Sequence, residues 1–486
     1  MSMRIENENA LTVEKAVRVK LGIKECMIGE QSFYRRVAMV VLPMIVQNTL
    51  SNIVGLLDNV MVGQVGTLAM SSVAIVNQLM FVFMLCIWGA LAGAGIFGTQ
   101  FFGRKDYEGV RYTMRIKIIV AAVIVCVATA VFLLAGETLI GKYISDGTSA
   151  EDAAMTMKLS LNYLHIMLIS LAPFAITQIY AGTLRESGKT TLPMISSMSA
   201  MVVNFIFNLL LIFGYLGFPK LGVMGAAIAT VISRFVEMGI VTIVAHHRVA
   251  EYGFLQGLYK SFYIPPSMIR PVLSKTMPLF LNEFLWSMGQ ATLLQSYSVR
   301  GIQVIAAMNI ANTIAQIFNE VFLSLGNSTS IVVGQELGAE HYVQARRYAW
   351  RMATLSVCSC FVMGTLLTLA SSIIPQLYNT EEEIKLLATS FIRIVAIVMP
   401  LNAFANVSYF TLRSGGKTFV TFLFDSCFTW TVSVVVARIL AYYTNMPVVG
   451  VYFTVCSLEF LKCTIGFILV KKGVWVRNIV RGTVTA

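Results

Sequence analysis

The sequence predicts an all-α membrane protein with about twelve transmembrane helices, arranged as two homologous six-helix bundles. Hydrophobic residues make up 57% of the 486-residue chain and charged residues only 12%, against roughly 25% charged in an average soluble domain. Nearly uncharged segments, each close to the ~20 residues that a membrane-spanning helix needs, follow one another along the chain. The chain also repeats itself, because a shift of 235 residues superposes one half on the other.

The repeat is carried by proline, glycine and amide residues in matching order. The shift of 235 places Pro43 on Pro278, Gly66 on Gly301, Asn77 on Asn312, Gln100 on Gln335 and Gly103 on Gly338. With a shift of 228, residues 183–190 overlie residues 411–418. Two homologous halves in an apolar chain are typical of secondary transporters, in which the halves rock around a site between them.

Each predicted span is an apolar stretch that ends where charged or glycine-rich sequence begins. The first half contains residues 37–62, 69–98, 117–139, 157–184, 191–216 and 222–245, and the second half contains residues 273–299, 304–332, 352–374, 386–411, 418–442 and 448–470. Helices satisfy their backbone hydrogen bonds internally, as the hydrocarbon region of a bilayer requires.

Charge placement predicts the orientation in the membrane. Alternate connections are basic, from Arg35-Arg36 before the first span to Lys471-Lys472 after the last. The positive-inside rule then predicts a multi-pass protein of the cell (inner or plasma) membrane with both termini cytoplasmic. The net charge of +12 is thereby a topology signal and not a sign of nucleic-acid binding.

The predicted organisation is a tail, a lobe, a linker, a second lobe and a tail. Aromatic and basic residues around Pro265-Pro266 favour an interfacial helix in the linker. The boundaries are 1–36 for the cytoplasmic N-terminal tail, 37–245 for the N-terminal lobe, 246–272 for the cytoplasmic or interfacial linker, 273–470 for the C-terminal lobe and 471–486 for the cytoplasmic C-terminal tail.

Two motifs resemble nucleotide-binding sequences, but neither indicates a nucleotide site. Gly93-Ala-Gly95-Ile-Phe-Gly98 matches a dinucleotide fingerprint, but no strand precedes it, and small residues in membrane helices more often allow close packing. Gly188-Lys189-Thr190 ends like a phosphate-binding loop, but Thr183 stands where that loop needs glycine. The four histidines form no catalytic group, so the sequence predicts neither an enzyme nor a bound cofactor.

Asp58 is the most informative polar residue of the first half. It lies late in the first span, and a carboxylate at membrane depth is costly unless it takes up a proton, binds a cation or is paired. Asn204 and Asn208 share one face of the fifth span, where their amides complete a Na⁺ ligand shell with Asp58 or hydrogen-bond its protonated form. The alternatives are an aspartate in the outer headgroup region and asparagines that only join helices.

The second half carries polar stripes in its seventh, eighth and tenth spans. Leu293 stands where the repeat would place a second Asp58, and Glu283 appears early in the seventh span instead. The candidates for binding substrate or a proton are Glu283, Gln290, Asn312, Gln316, Glu320, Asn402 and Asn406. The alternative for the two glutamates is a structural pairing with Arg393 or another buried base. Structural or interfacial roles are expected for the remaining charges at membrane depth, which are Arg234, Glu237, Asp425, Arg438, Glu459 and Lys462.

From Arg36 to about Val470 the chain resembles the multidrug and toxic compound extrusion (MATE) family. The matching motifs are Pro43…Asp58…Gly63…Gly66, Gly98-Thr99-Gln100…Gly103, Leu184-Arg185…Gly188, Gly334-Gln335…Gly338 and Arg413…Gly416. The resemblance implies a V-shaped pair of six-helix bundles, with Asp58 and Asn204 in a cation site of the N-terminal lobe. Gln178 is the candidate equivalent of the family's ligands on the fourth helix. Many prokaryotic members have an aspartate where this chain has Asn208.

The resemblance also implies the activity, which is export of amphipathic organic cations in exchange for Na⁺ or H⁺. We expect a monomeric antiporter in a lipid bilayer, with small organic cations as its partners and no nucleic acid. The alternative is a flippase for lipid-linked oligosaccharides, a member of the same broad superfamily. A flippase needs a strongly basic cavity to hold pyrophosphate, whereas the polar residues inside these spans are mostly Asp, Glu, Asn and Gln.

Overall fold

The computed structural model describes residues 13–19, 21–144, 149–378 and 380–481, and it confirms the all-helical prediction. Every predicted span corresponds to a helix, and the described ranges contain no β-strand. The helices are α1 (Gln31–Gly63), α2 (Thr67–Arg104), α3 (Tyr107–Gly141), α4 (the bent pair Ala150–Leu168 and Leu171–Glu186), α5 (Thr191–Phe213), α6 (Val223–His247), α7 (Pro266–Ser298), α8 (Ile302–Gly338), α9 (Tyr342–Ala370), α10 (Glu382–Ser414), α11 (Thr418–Tyr443) and α12 (Val448–Lys472). A short helix, Ile23–Met27, precedes α1.

Most of these helices are apolar enough to cross a bilayer. Within the described residues, nine are long and apolar enough to do so, and the number is ten when the two parts of α4 form one span. Helices α7 and α8 are not among them, although they contain 33 and 37 residues. They have the length to span, since 37 helical residues extend over about 55 Å, but both carry the polar stripes predicted from the sequence.

The fourth helix differs from the continuous span predicted over 157–184. Its two parts meet at Ile169 and Ser170 and are bent by 46°. Pro173 explains the break, because it has no N–H to donate to the carbonyl of Ile169. At the break, the Ser170 hydroxyl donates to the carbonyl of Met167 at 2.6 Å.

The prediction of an interfacial helix in the linker is wrong. Turns and a 3₁₀ helix, Gly253–Leu255, occupy its first part, and α7 begins at Pro266. Proline is favoured at the first helical position because its fixed φ suits a helix and its missing N–H costs no bond there. The buried Arg115 of α3 holds the linker by donating to the carbonyls of Leu258 at 3.1 Å and Tyr263 at 2.9 Å.

The chain forms two compact units. One contains residues 46–95 and 107–269, and the other contains residues up to 45, residues 96–106 and residues from 270 onward. Helices α1 and α2 therefore each contribute to both units, with changes at residues 45–46 and 95–96. The predicted lobes, 37–245 and 273–470, follow the sequence repeat and remain predictions.

In the unit that contains residues 107–269, α5 and α6 form a tight hairpin. Gly214 ends α5 with φ +76°, a left-handed conformation that glycine adopts without steric cost. At Gly225 a Cβ atom would overlap the carbonyl of Leu211, so only glycine allows α6 to approach α5 this closely. This hairpin positions the polar faces of both helices.

In the unit that contains residues from 270 onward, α8, α9 and α10 pack around one apolar core. Ile314, Cys360, Phe391 and Met399 are buried in it, one or two from each helix. Interiors of this kind are packed as densely as organic crystals, so the helices hold their polar side chains in fixed positions.

Candidate cation-coupling site

The structure brings Asp58, Asn204 and Asn208 together. The Asn208 amide nitrogen donates to Oδ1 of Asp58 at 2.7 Å and to Oδ1 of Asn204 at 3.1 Å. Both asparagines are buried, and Asp58 is half-buried. A carboxylate with direct amide donors in a low-dielectric site is a group whose charge state depends on what binds it.

The Asn204 amide fits the site better when its nitrogen and oxygen are exchanged. In that orientation its nitrogen lies 3.0 Å from Oδ1 and 3.1 Å from Oδ2 of Asp58, and its oxygen no longer accepts from Asn208. Asp58 then accepts from both amides, and an ionised carboxylate, which can only accept, requires such donors. The Oδ1 atom of Asn208 is buried with no hydrogen-bond partner in the described part of the chain.

Helix geometry explains why these residues converge. Asn204 and Asn208 lie one turn apart on α5 and therefore share a face. The α5–α6 hairpin adds Thr230, whose Oγ1 lies 3.4 Å from the side-chain amide of Asn204. The sequence analysis missed Thr230, because its proximity to Asn204 depends on how two helices pack and not on spacing in one.

Further charges and an aromatic ring surround the site. Arg234 on α6 interacts electrostatically with Asp58 and forms an ion pair with Glu237 at 3.0 Å. Tyr163 on α4 is buried within electrostatic range of Asp58. Arg234 and Glu237 thus form an ion pair that places a positive charge near the carboxylate.

The candidate Gln178 and a second glutamine, Gln47, have different surroundings. Gln178 is half-buried on α4, and none of the contacts found in the described ranges joins it to Asp58, Asn204 or Asn208. Gln47, on the same face of α1 as Asp58, accepts through its side-chain oxygen from Arg185 at 3.1 Å. That face of α1 therefore also serves helix packing.

Glu283 lies half-buried on α7, beside residues of α10 and α11. Arg413 and Asp425 both interact with it electrostatically. Arg393, the partner considered from the sequence, instead donates to the hydroxyls of Ser371 at 3.2 Å and Ser372 at 2.9 Å.

The remaining candidates of the second half differ in how exposed they are. Gln290, Asn312 and Gln316 are exposed on α7 and α8. Glu320, Asn402 and Asn406 are half-buried, and Oδ1 of Asn406 is buried without a partner among the described residues. Asn312 and Gln316 share one face of α8, as their spacing predicts.

The described part of the chain contains no metal site built from several acidic, histidine or cysteine ligands. No group of three His, Cys, Asp or Glu side chains is placed there to hold a metal ion. A Na⁺ ion at Asp58 would therefore be bound by one carboxylate, with amide and hydroxyl oxygens from Asn204, Asn208 and Thr230.

Known proteins similar to this chain point to one family. The MatE family profile matches residues 43–210 and again residues 278–441. The two matches begin at Pro43 and Pro278, the first pair of the 235-residue repeat, so the family profile identifies the same duplication.

The relatives in sequence are named as drug-resistance proteins. A probable multidrug resistance protein NorM from Thermotoga maritima is 24% identical over 444 residues, which are 90% of this chain and 92% of the relative. A probable multidrug resistance protein NorM from Bacillus cereus is 26% identical over 394 residues, which are 81% of this chain and 85% of the relative.

Solved structures with the same fold cover nearly the whole chain. The MATE transporter VcmN from Vibrio cholerae superposes with a TM-score of 0.80 at 18% identity, over 92% of this chain and 98% of that one. A MOP superfamily transporter from Pyrococcus furiosus also gives 0.80, at 16% identity, over 95% of this chain and 100% of that one. The predicted MATE fold is confirmed.

Proposed function

The chain belongs to the MatE family of ion-coupled, multi-pass membrane transporters, and on that premise we propose that it is an antiporter exporting amphipathic organic cations in exchange for protons. Its relatives are named as multidrug resistance proteins. The side chains that bond to one another at Asp58 are a carboxylate and amides, whereas a flippase that carries pyrophosphate needs a strongly basic cavity.

The observation that carries the proposal is the 2.7 Å hydrogen bond from Asn208 to Asp58. Both residues lie in the first segment matched by the family profile. In a site this enclosed, a change in the charge of Asp58 alters its bonds to α5, so ion binding and helix packing are linked.

The donor set favours a proton over Na⁺ as the coupling ion. A proton needs only the one carboxylate that the site provides. Na⁺ needs several oxygen ligands, whereas the Asn208 amide presents its N–H group to Asp58, and Asn204 does the same in its better-fitting orientation. Binding Na⁺ would require both amides to turn their oxygens toward the ion.

The transport cycle follows from these contacts. Protonation of Asp58 from the outer side removes its negative charge and weakens its charge-assisted bonds to Asn204 and Asn208. The helices α1 and α5 then repack, the outward-facing state loses its affinity for the organic cation, and the cation leaves. Coupling arises because proton and organic cation stabilise different states.

One chain supplies the whole of this site. Asp58, Asn204, Asn208 and Thr230 come from α1, α5 and α6 of the same protomer. A monomer in the cell membrane is therefore sufficient for the proposed exchange, with the predicted lobes 37–245 and 273–470 as its two halves.

The proposal is tested with purified protein in liposomes, using ethidium as the transported cation. Uptake is driven by a pH gradient alone or by a Na⁺ gradient alone, for wild type, Asp58→Asn and the control Glu151→Gln, which removes an exposed carboxylate of the same unit. We expect transport on the pH gradient by wild type and the control and its loss in Asp58→Asn. Transport on the Na⁺ gradient alone would assign Na⁺ as the coupling ion. No transport on either gradient would contradict multidrug antiport and favour the flippase.

A further inference from the structure

A lysine buried among the C-terminal helices occupies a cage made from the groups that recognise organic ammonium ions. The Nζ atom of Lys462 on α12 lies 3.1 Å from Oδ1 of Asp425 and 3.4 Å from Oε1 of Glu459. It also lies 5.8 Å from the centre of the Phe424 ring. Two carboxylates and an aromatic face around an alkylammonium are the means by which proteins bind ammonium ligands.

The backbone of α11 is unusual where it contributes to this cage. Leu423–Cys427, which contains both Phe424 and Asp425, is a π-helical turn, and Thr429–Ser433 is another. Such turns are rare in α-helices and occur often at functional sites. The wider turn presents the Phe424 ring and the Asp425 carboxylate to the same ammonium group.

A hydrogen-bond network from α7 fixes the carboxylate in place. The Asn282 amide nitrogen donates to Oδ2 of Asp425 at 3.1 Å. The Ser426 hydroxyl donates to the Asn282 carbonyl at 2.8 Å, and the Ser426 N–H donates to Oδ1 of Asn282 at 3.3 Å. Asp425 thus has one oxygen held by Asn282 and the other directed at Lys462.

Glu283 and Arg413 lie near the cage. Glu283 interacts electrostatically with both Asp425 and Arg413. The cage thus belongs to a larger group of acidic and basic side chains.

The side chains of the cage are partly exposed, and Lys462 contacts two carboxylates at once. The side chains of Lys462, Asp425 and Glu459 are 12%, 19% and 25% exposed. Lys462 contacts both carboxylates. When a ligand ammonium replaces Lys462 at Asp425, Lys462 therefore keeps its ion pair with Glu459.

We propose that Phe424, Asp425 and Glu459 form a binding site for the primary alkylammonium group of transported organic cations, with Lys462 as its built-in competitor. This extends the proposed export function by naming a substrate class and a site for it. Asp425, Glu459 and Lys462, for which the sequence suggests structural or interfacial roles, thereby also determine which cations bind.

The first experiment removes the competitor and offers a free ligand of the same chemistry. Thermal unfolding of the detergent-purified protein is followed with increasing n-butylammonium chloride, against NaCl at equal ionic strength. We expect butylammonium to stabilise Lys462→Ala well beyond wild type, because the ligand fills the vacated cage. The gain should be absent in Lys462→Ala/Asp425→Asn and in Lys385→Ala, which breaks the exposed pair with Glu382. Equal stabilisation of Lys462→Ala and the double variant would overturn the proposal and leave a structural ion pair only.

The second experiment uses the natural lysine and applies if Lys462→Ala does not fold. Binding of dansylcadaverine, a fluorescent primary alkylammonium, is measured on wild type, Asp425→Asn, Glu459→Gln and Lys462→Met. We expect affinity to fall about tenfold in Asp425→Asn and to rise about tenfold in Lys462→Met. Unchanged affinity in Asp425→Asn and Glu459→Gln would overturn the proposal.

These binding measurements use no ion gradient, so their outcome is separate from that of gradient-driven transport. A failure of the cage to bind alkylammonium leaves Asp58-dependent antiport untouched. A failure of transport on both gradients leaves the butylammonium result standing.

Discussion

Gly103 and Gly338, which the 235-residue shift superposes, make reciprocal contacts. A Cβ atom at Gly103 would overlap the backbone carbonyl of Gln335, and a Cβ atom at Gly338 would overlap the backbone carbonyl of Gln100. Gln100 and Gln335 are themselves a superposed pair. The repeat in sequence is therefore a local two-fold relationship in space, at the ends of α2 and α8.

Substituting either glycine should destabilise the protein. We expect Gly103→Ala and Gly338→Ala each to cost about 1–3 kcal/mol, because the added methyl group meets immobile backbone. The measurement is the thermal unfolding midpoint in detergent. Gly239→Ala in α6 is the matched control, since a Cβ atom there meets no neighbour within 4 Å. Similar midpoints for Gly103→Ala and Gly239→Ala would contradict the close approach.

A buried ion pair joins α3 to α4 and should behave differently from an exposed one. Lys117 is 1% exposed, and its Nζ lies 2.6 Å from Oε1 of Glu186. Lys117→Met alone should cost about 3–5 kcal/mol, because a carboxylate remains buried without its base, while Lys117→Met/Glu186→Met should recover most of the loss.

The control for this double-mutant cycle is the pair Lys189–Glu251, which is separated by 2.9 Å with side chains 52% and 40% exposed. Lys189→Met should change the unfolding midpoint little, because exposed pairs contribute at most about 1 kcal/mol. Additive effects of the two substitutions at Lys117 and Glu186 would contradict a coupled pair.

Adding a second carboxylate at the candidate site should change its response to Na⁺. In Asn208→Asp two carboxylates would lie within hydrogen-bonding distance, and both can be ionised only when a cation lies between them. We expect stabilisation by NaCl over choline chloride in Asn208→Asp and none in wild type. Asn208→Leu, which adds no charge, serves as the control. Equal Na⁺ stabilisation of wild type and Asn208→Asp would contradict the proposal that the natural site favours protons.

Residues near both ends of the chain pack at the same end of one unit, which bears on orientation. Arg346, near the start of α9, donates to the carbonyls of Ala16 at 2.7 Å and Val19 at 3.0 Å. Ala16 and the fully buried Trp475 belong to one apolar cluster. This packing supports the prediction that both tails lie on one side of the membrane, which the positive-inside rule predicts to be the cytoplasmic side.

Reporter fusions after Ala486 test this orientation. A green fluorescent protein should fluoresce there, whereas alkaline phosphatase, which folds only outside the cytoplasm, should be inactive. The reverse pattern would contradict the cytoplasmic orientation, and it would also reverse the direction in which Asp58 is loaded.

The sequence predicts those parts of the site that lie within one helix. Asn204 and Asn208 share a face because they are four residues apart, and the glycine contacts between α2 and α8 follow the repeat. Thr230 and the cage around Lys462 were not predicted as neighbours, because they depend on how separate helices pack. The bend after Leu168 was missed although Pro173 signals it, since the surrounding sequence is uniformly apolar. The sequence around Pro265-Pro266 suggests an interfacial helix, whereas Pro266 starts α7.

The central claim is that Asp58 couples ion binding to transport, and substrate exchange without a gradient tests it most directly. Liposomes loaded with unlabelled ethidium take up labelled ethidium by exchange, and this half-cycle needs no coupling ion. Accumulation of ethidium driven by a pH gradient does need the coupling ion. We predict that Asp58→Asn retains exchange and loses pH-driven accumulation. Accumulation at wild-type levels in Asp58→Asn, with exchange also intact, would contradict the account and move coupling to another carboxylate.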